Sequence, residues 1–420
     1  MTQLESNRKW LLTIHCVNHR LELAVKSAMN DKYFKKAEKF YITNYYLLRN
    51  SGKLKSSLKE ACQALGITYY VFPKIHGTRF VHQRKNGYTR LLHMWPALCT
   101  VYEDAQITTT NAKTRSKILG LLKKLRDTQE IFRVGATLHC VDLVAVTSLI
   151  FEREYLLPHE ISASIKITIN KIDDVIKKKA SEMEYLNYFR ISSAENGKCE
   201  IARRYPKPGH EKKKIENREF SNINVQGFTY RKKGLKGAAS KVSKTAENLK
   251  EILSTRFDTF DLPIYKNMRF FDPKYWKAGE KSYGEDQIKY LYNHFQVPLD
   301  KHNFDLTKSL KEWQSFKILV EEAYSDFLAL ELWKVIITKR ANEFPNLVLL
   351  AKLLMCISGS NSTVERAFSV LTQITTSLRV NLKHDVMEDI MIISCNNQAW
   401  SKSEKEEILE KAYAIYRSKR

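Results

Sequence analysis

The sequence predicts a mainly α-helical protein, and two features of it carry that prediction. Residues that break helices are scarce, because the 420 residues include 14 glycines and 9 prolines. Apolar residues also recur three and four positions apart in many segments, which is the spacing of one helix face. Hydrophobic residues make up 43% of the chain, which is enough for a sizeable core. At roughly 150 residues per domain, about three domains are expected.

Two short apolar runs in the first quarter of the chain are predicted to be strands, residues 10–14 and residues 69–72 before Pro73. The helical spacing predicts helices in the remaining ordered segments. The predicted helices are 18–29, 33–48, 54–65, 81–102, 116–127, 134–152, 161–188, 245–257, 285–295, 310–330, 345–357, 362–374 and 384–394.

The cysteines and the apolar runs indicate the compartment. The seven cysteines are widely spaced, odd in number and without a CxxC pair, which favours reduced thiols in an intracellular protein. The first nine residues are polar, so no secretory signal is expected. No uninterrupted apolar run reaches the roughly 18 residues of a spanning helix. The longest runs, 141–151 and 347–357, are expected to be core helices, and no membrane partner is expected.

The charge of the chain favours an anionic partner, and one segment concentrates it. Lys and Arg total 70 against 46 Asp and Glu, a formal net charge of +24. Residues 191–244 have weak apolar periodicity, so a flexible segment is expected there, either a solvated insertion or an arm that contacts nucleic acid. The candidate phosphate contacts are Arg203, Arg204, Lys212, Lys213, Lys214, Arg231, Lys232 and Lys233.

The segment 344–397 predicts three short helices with apolar stripes. Pro345 suits the first turn of a helix, in which Leu347, Leu350 and Leu354 share one face. In the second helix the stripe is formed by Val364, Phe368 and Leu371. So small a unit offers more apolar surface than it can bury on itself, so these six side chains are the predicted self-association surface.

Three separated words in this segment resemble the C-terminal dimerisation segment of hAT-family transposases. The words are Phe344-Pro345-Asn346-Leu347, Ser362-Thr363-Val364-Glu365-Arg366-Ala367-Phe368-Ser369 and Arg379-Val380-Asn381-Leu382. The resemblance implies a transposase-derived protein that forms homodimers, resides in the nucleus, and associates with DNA or chromatin without sequence preference.

A second resemblance lies near the start of the sequence. Cys16 and His19, followed by Leu21 and Leu23, match the CxxH motif of the same family. Arg79 and Phe80 fall where relatives carry a T-R-W word, with phenylalanine in place of the tryptophan. The sequences of residues 12–29 and 50–77 also resemble those of hAT-derived proteins that carry zinc fingers upstream.

The expected role of the CxxH motif is structural. Cys16 and His19 are expected to buttress the junction between strand 10–14 and the helix after it. A zinc site that also uses His15 is the alternative, but a structural zinc needs four ligands and the sequence shows no matching second pair. No metal site is therefore predicted.

The resemblance also bears on catalysis, because active relatives hold two divalent ions with three carboxylates in a ribonuclease-H-like core. Glu365 matches the third carboxylate. The first two lie upstream of the CxxH motif in the family, where this sequence has only Glu5. We therefore expect an N-terminally truncated, non-enzymatic chain without cofactors, which would bind a divalent metal only if the missing carboxylates were restored. Glu365 also fits a helix-capping box with Ser362.

The expected architecture is an incomplete ribonuclease-H-like α/β core with a large helical insertion and a C-terminal helical dimerisation segment. The expected parts are 1–94 (core remnant), 95–340 (insertion with the basic segment 191–244), 341–400 (dimerisation) and 401–420 (charged tail helix). The expected partners are a second copy and DNA, with no small-molecule substrate. The alternatives are a metal-dependent hAT transposase whose N-terminal third is missing, and a decayed reading frame without a stable fold.

The basic segment generates a testable prediction about DNA binding. Replacing Lys212, Lys213 and Lys214 by Gln should reduce the slope of log affinity against log salt by about 0.9 for each lost phosphate contact. Fluorescence anisotropy with a labelled duplex at several salt concentrations measures it. The matched control replaces Lys53, Lys55 and Lys59, which lie in or directly before the predicted helix 54–65. Equal slopes for both triple variants would rule the segment out as the phosphate contact.

Overall fold

Short polar side chains begin several helices of the computed structural model. In each case a side-chain oxygen accepts a hydrogen bond from a backbone N–H in the first turn, which satisfies one of the free donors there. These caps are Asp31, Ser51, Asn111, Asp127 and Asp305. Local sequence therefore sets where many of the helices begin.

The structure describes residues 8–75, 81–153, 156–191, 198–203, 224–229, 234–276, 282–357, 359–360, 362–375, 382–396 and 400–418. The chain is mainly helical, as predicted, and divides into two units, Met1–Gly359 and Ser360–Arg420.

The helices of the first unit, among the residues described, are α1 Val17–Ala28, α2 Lys32–Arg49, α3 Gly52–Ala64, α4 Val81–His93, α5 Trp95–Thr108, α6 Ala112–Leu125, α7 Thr128–Phe151, α8 Pro158–Lys177, α9 Gly234–Arg256, α10 Pro263–Asn267, α11 Glu285–His294, α12 Gln296–Asp300, α13 Leu306–Ala323, α14 Ala329–Lys339 and α15 Pro345–Met355. Short 3₁₀ turns follow α8 and flank α10.

The first unit contains two hydrophobic cores, and α7 takes part in both. Phe132, Ala136 and Cys140 face one core, which collects α1, α8, α9 and α11 to α15. Ile131, directly before Phe132, and Leu138, two residues after Ala136, point to the other side of α7. They belong to the other core, which collects α2 to α6. A helix that is apolar all round is expected wherever both sides are covered.

By length and composition alone, α7 could cross a membrane, and 78% of its most apolar window is buried inside the protein. The search for uninterrupted apolar runs did not identify this helix as a candidate membrane span, because polar residues such as His139 and Asp142 interrupt it. Its burial agrees with the core helix expected for 141–151.

One small antiparallel sheet joins the second core. Its strands are β1 Phe189–Ile191, β2 Lys198–Arg203 and β3 Asn224–Thr229, in that order, with an irregularity in β2 between Cys199 and Ile201.

The sheet corrects the expectation that 191–244 is one flexible segment, because two strands and the first turns of α9 lie within it. The sequence concealed them because a sheet needs apolar side chains on one face only. Here two fully buried residues, Ile201 and Phe228, are enough.

The two strands predicted near the N-terminus are wrong. Residues 11–16 and 69–75 have no regular structure, although Leu12 and Ile14 pack against the first core and Phe72 lies in the second. Side chains bind part of the second segment: the Arg90 guanidinium donates to the Val71 carbonyl at 2.6 Å. No described residue before Phe189 forms a strand, so the expected ribonuclease-H-like core is not confirmed.

The boundary between the two units also differs from the expected domain boundaries. Residues on both sides of 94/95, among them Leu92, Met94 and Trp95, are buried together in the second core. The division near the C-terminus falls at Gly359/Ser360 and not at 340/341, because α15 is buried in the first unit.

The second unit has three helices in its described residues: α16 Ser362–Ile374, α17 His384–Asn396 and α18 Lys402–Ser418. Helix α16 packs against α17. The predicted charged tail helix corresponds to α18.

Close packing at Gly135 in α7 generates a prediction about stability. A Cβ at this position would lie 2.3 Å from the Tyr185 carbonyl oxygen, so the backbone would have to shift. We expect Gly135→Ala to lower the free energy of unfolding by about 2 kcal/mol or more, as overpacking does. Urea denaturation followed by circular dichroism measures it.

The control is Gly120→Ala inside α6, where a Cβ would meet nothing within 4 Å. This change should stabilise the protein by roughly 0.5–1 kcal/mol, because alanine favours a helix more than glycine does. Equal effects of the two substitutions would contradict the close approach of α7 to Tyr185.

Candidate dimerisation surface

Helices α13 and α14 build an aromatic cluster that receives the start of α15. The Phe316 ring stacks on Trp333 at 4.9 Å and meets Phe344 edge-on at 5.3 Å between centroids. The Trp333 indole N–H donates to the Phe271 carbonyl at 2.7 Å, and the Trp313 indole N–H donates to the Tyr283 carbonyl at the same distance. Both buried indoles thus have their partner, which makes the cluster a rigid seat for α15.

A carboxylate from α13 caps the N-terminus of α15. Phe344 precedes the helix and Pro345 occupies its first turn, so the next two residues carry free amide N–H groups. Glu312 accepts from both, from Asn346 N at 3.3 Å and from Leu347 N at 2.9 Å. A negative charge at this helix end is also favoured by the helix dipole.

The side chain of Asn346 makes the cap reciprocal. Its amide nitrogen donates to Glu312 Oε1 at 2.6 Å, and its amide oxygen accepts from Asp305 N at 2.8 Å, directly before α13. The two helices therefore hold each other's starts in place.

This seat buries the leucine stripe that the sequence assigned to self-association. Leu347, Leu350 and Leu354 are all buried in the first core of their own unit. Their placement corrects the expectation of a free stripe on this helix, because α13 and α14 already cover it. A direct role of these three leucines in dimerisation stays a prediction, and their burial within one copy does not favour it.

The apolar side chains of α16 are arranged differently. Ile374 is buried and Ala367 is half-buried on one side of the helix. Val364 and Phe368, one turn apart, remain 54% and 61% exposed, and Leu371 is half-buried. Of the six predicted residues, these last three belong to the second unit, and two of them form an exposed apolar pair.

Further exposed apolar side chains lie elsewhere in the same unit. Val386, Ile392 and Ile393 of α17 are exposed, as are several side chains of α18. A small helical unit that exposes so many large apolar groups has the character of an interaction surface.

Glu365 lies on α16 and is half-buried, and its backbone carbonyl accepts from the Ser369 hydroxyl at 3.1 Å. The Ser362 side chain lies outside the described residues, so the capping box remains a prediction, as does the catalytic assignment. Within the part of the chain that the structure describes, no three His, Cys, Asp or Glu side chains lie close enough to hold a metal ion.

The CxxH motif lies at the start of α1. Cys16 is half-buried and caps the helix with its backbone only, accepting from Arg20 N at 3.0 Å, while His15 and His19 are exposed. The expected buttress by Cys16 and His19 is therefore wrong for His19, and the strand it should have supported is absent from residues 10–14.

Other residues of the motif carry the structural role. The Val17 N–H donates to the Gly359 carbonyl at 3.1 Å, so the start of α1 binds the last residue of the first unit. The Arg20 guanidinium lies over the Phe257 and Phe260 rings at 5.5 and 5.8 Å, a cation–π arrangement. Glu22 is buried, and its Oε1 accepts a hydrogen bond from the Arg84 guanidinium at 2.5 Å. In the sequence, Arg20 and Glu22 simply alternate with apolar residues, so no pattern there indicated these contacts.

Most of the predicted nucleic-acid contacts cannot be placed. Arg203 ends β2, and its side chain lies outside the described residues. The same holds for the whole of Arg204, Lys212, Lys213, Lys214, Arg231, Lys232 and Lys233, and for Arg79 and Phe80.

Comparison with known families agrees with this site. Residues 305–396 match the hAT family C-terminal dimerisation region, which comprises α13 to α17 and belongs partly to each unit. Over these residues the chain is therefore related to the hAT transposases and carries their dimerisation region. No solved structure matches the chain.

The matched region begins 39 residues before Phe344, where the sequence interpretation had placed its start. A helix was predicted at 310–330, but α13 and α14 were not assigned to this region, because their contribution is the aromatic seat and the Glu312 cap. The sequence signal that could have revealed them is the spacing of Trp313 and Phe316, three residues apart on one helix face.

The Glu312 cap generates the next prediction. Replacing Glu312 by Ala leaves the first amides of α15 without acceptors, and we expect the free energy of unfolding to fall by about 1–3 kcal/mol. Chemical denaturation of the whole chain measures the loss. The control is Glu322→Ala, an exposed glutamate near the end of the same helix. A similar effect of both substitutions would show that the cap does not stabilise the fold.

Proposed function

We propose that this protein is a transposase-related dimerisation protein that forms a homodimer through the exposed apolar side chains of its second unit. The observation that carries the proposal is the pair Val364 and Phe368, both more than half exposed within a region whose family description is dimerisation.

The physical reason is the apolar area that pairing would remove from water. Burying one Val or Phe side chain contributes roughly 1.5–3 kcal/mol. A two-fold symmetric interface uses the same patch on both copies, so each residue contributes twice. Helix α16 is suited to this because the adjoining edge of its apolar stripe is already covered within its unit, with Ile374 buried and Ala367 half-buried.

Helices α13 to α15 have a different role in the proposal. Their leucines and aromatic rings stabilise the first unit, and the Glu312 cap holds the chain that leads toward α16. Exposed apolar residues also occur here, at Ile318, Phe327 and Leu328, and they are secondary candidates for the interface.

We further propose that the protein associates with DNA or chromatin in the nucleus without sequence preference. The support is the net charge of +24, which favours phosphate contacts through counterion release. We also propose that the chain as given does not cut DNA. The family resemblance assigns one carboxylate, Glu365, whereas a pair of divalent ions needs several.

The proposal predicts the effect of charges on the exposed face of α16. The double substitution Val364→Glu and Phe368→Glu should weaken self-association at least about tenfold, since 1.4 kcal/mol corresponds to one decade. Sedimentation equilibrium at micromolar concentration measures it, with far-UV circular dichroism to follow the fold.

The matched control is Ser369→Glu with Gln373→Glu, an exposed pair with the same four-residue spacing on another side of α16. It introduces the same charge and should leave the dimer intact. A monomeric parent protein, or equal loss of dimer in both double variants, would refute the proposed interface.

A further inference from the structure

Helix α18 exposes a broad apolar face beyond the family-matched region, which ends at residue 396. Leu409 and Tyr413, one turn apart, are 68% and 58% exposed. Ile408 and Ile415 are exposed as well and form the other edge of this broad face, about a third of a turn around the helix from Leu409 and Tyr413. The family assignment gives this helix no role.

The helix is stabilised by its own residues. Ser401 and Glu404 form a capping box, in which Ser401 N donates to Glu404 Oε2 at 2.7 Å and Glu404 N donates to Ser401 Oγ at 3.2 Å. An ion pair one turn apart joins Lys411 to Glu407 at 2.6 Å. A helix with local support of this kind keeps its shape while its apolar face stays in water.

The charges on α18 are distributed unequally along its length. Residues 402–410 of α18 contain four Glu and two Lys, whereas residues 411–418 contain two basic residues and no acidic one. A parallel pair of such helices would place like charges together. An antiparallel pair places the acidic half of each helix beside the basic half of the other, so the charge pattern is complementary to itself.

We propose that α18 pairs antiparallel with α18 of a second copy and so extends the dimer interface beyond the family region. The inference rests on the proposed self-association and adds a second contact to it. The centre of the apolar face lies between Lys411 and Ala412, so the two-fold axis passes there. Ile408 of one copy then lies opposite Ile415 of the other.

The first test places charges on the apolar face. Leu409→Glu with Tyr413→Glu should raise the dissociation constant of the dimer at least about tenfold, which corresponds to 1.4 kcal/mol. The control, Ser403→Glu with Ala414→Glu, adds the same charge on the opposite side of α18, where both residues are exposed. The control should bind like the parent protein.

The second test determines the orientation of the pair. Ile408→Cys and Ile415→Cys are made in separate chains in which the exposed Cys356 and Cys395 are replaced by Ser. The two chains carry tags of different size and are mixed and oxidised. Antiparallel pairing gives mainly the mixed 408–415 disulfide, and parallel pairing gives 408–408 and 415–415 disulfides. The Cys356→Ser, Cys395→Ser chain without new cysteines is the control.

The outcomes separate this inference from the proposed function. If the α16 variant loses the dimer and the α18 variant keeps the affinity of the parent, the α18 pairing is wrong and the proposed function stands. If identical residues cross-link in preference to 408–415, the antiparallel arrangement is wrong. A parent chain that is monomeric throughout refutes both. Loss of affinity in the α18 variant with the mixed disulfide supports the pairing.

Discussion

The reciprocal cap between Glu312 and Asn346 is the interaction on which the dimerisation region depends. Pro345 begins α15 without an N–H of its own, and the next two amides take the Glu312 carboxylate as their acceptor. Asn346 returns the interaction by accepting from the residue before α13. Because the cap joins two helix starts, α15 is held where the aromatic cluster covers its leucines.

This placement decides which residues remain for a partner. Leu347, Leu350 and Leu354 are buried inside the first unit, whereas Val364 and Phe368 of the second unit are exposed. The three helices described in that second unit leave both side chains exposed. A dimerisation region that is partly core and partly surface follows from this division.

Local features of the sequence predicted the helices well. Helices α1, α2 and α3 begin within three residues of the expected positions, because each has a regular apolar stripe and two of them have a polar cap. The predicted strand at 10–14 was wrong because a run of five mostly apolar residues cannot supply a neighbouring strand. The strands at 198–203 and 224–229 were missed since one buried side chain each, Ile201 and Phe228, leaves almost no pattern among many charges.

The sequence by itself determined the helical class, the family words and the presence of apolar stripes at 347–354 and 364–371, because helical spacing and motif wording are local properties. Only the tertiary structure decided which stripe is buried. The two stripes look alike in sequence, and what distinguishes them is a cluster of rings and one carboxylate placed by α13 and α14. Burial depends on such distant neighbours, and no local pattern records them.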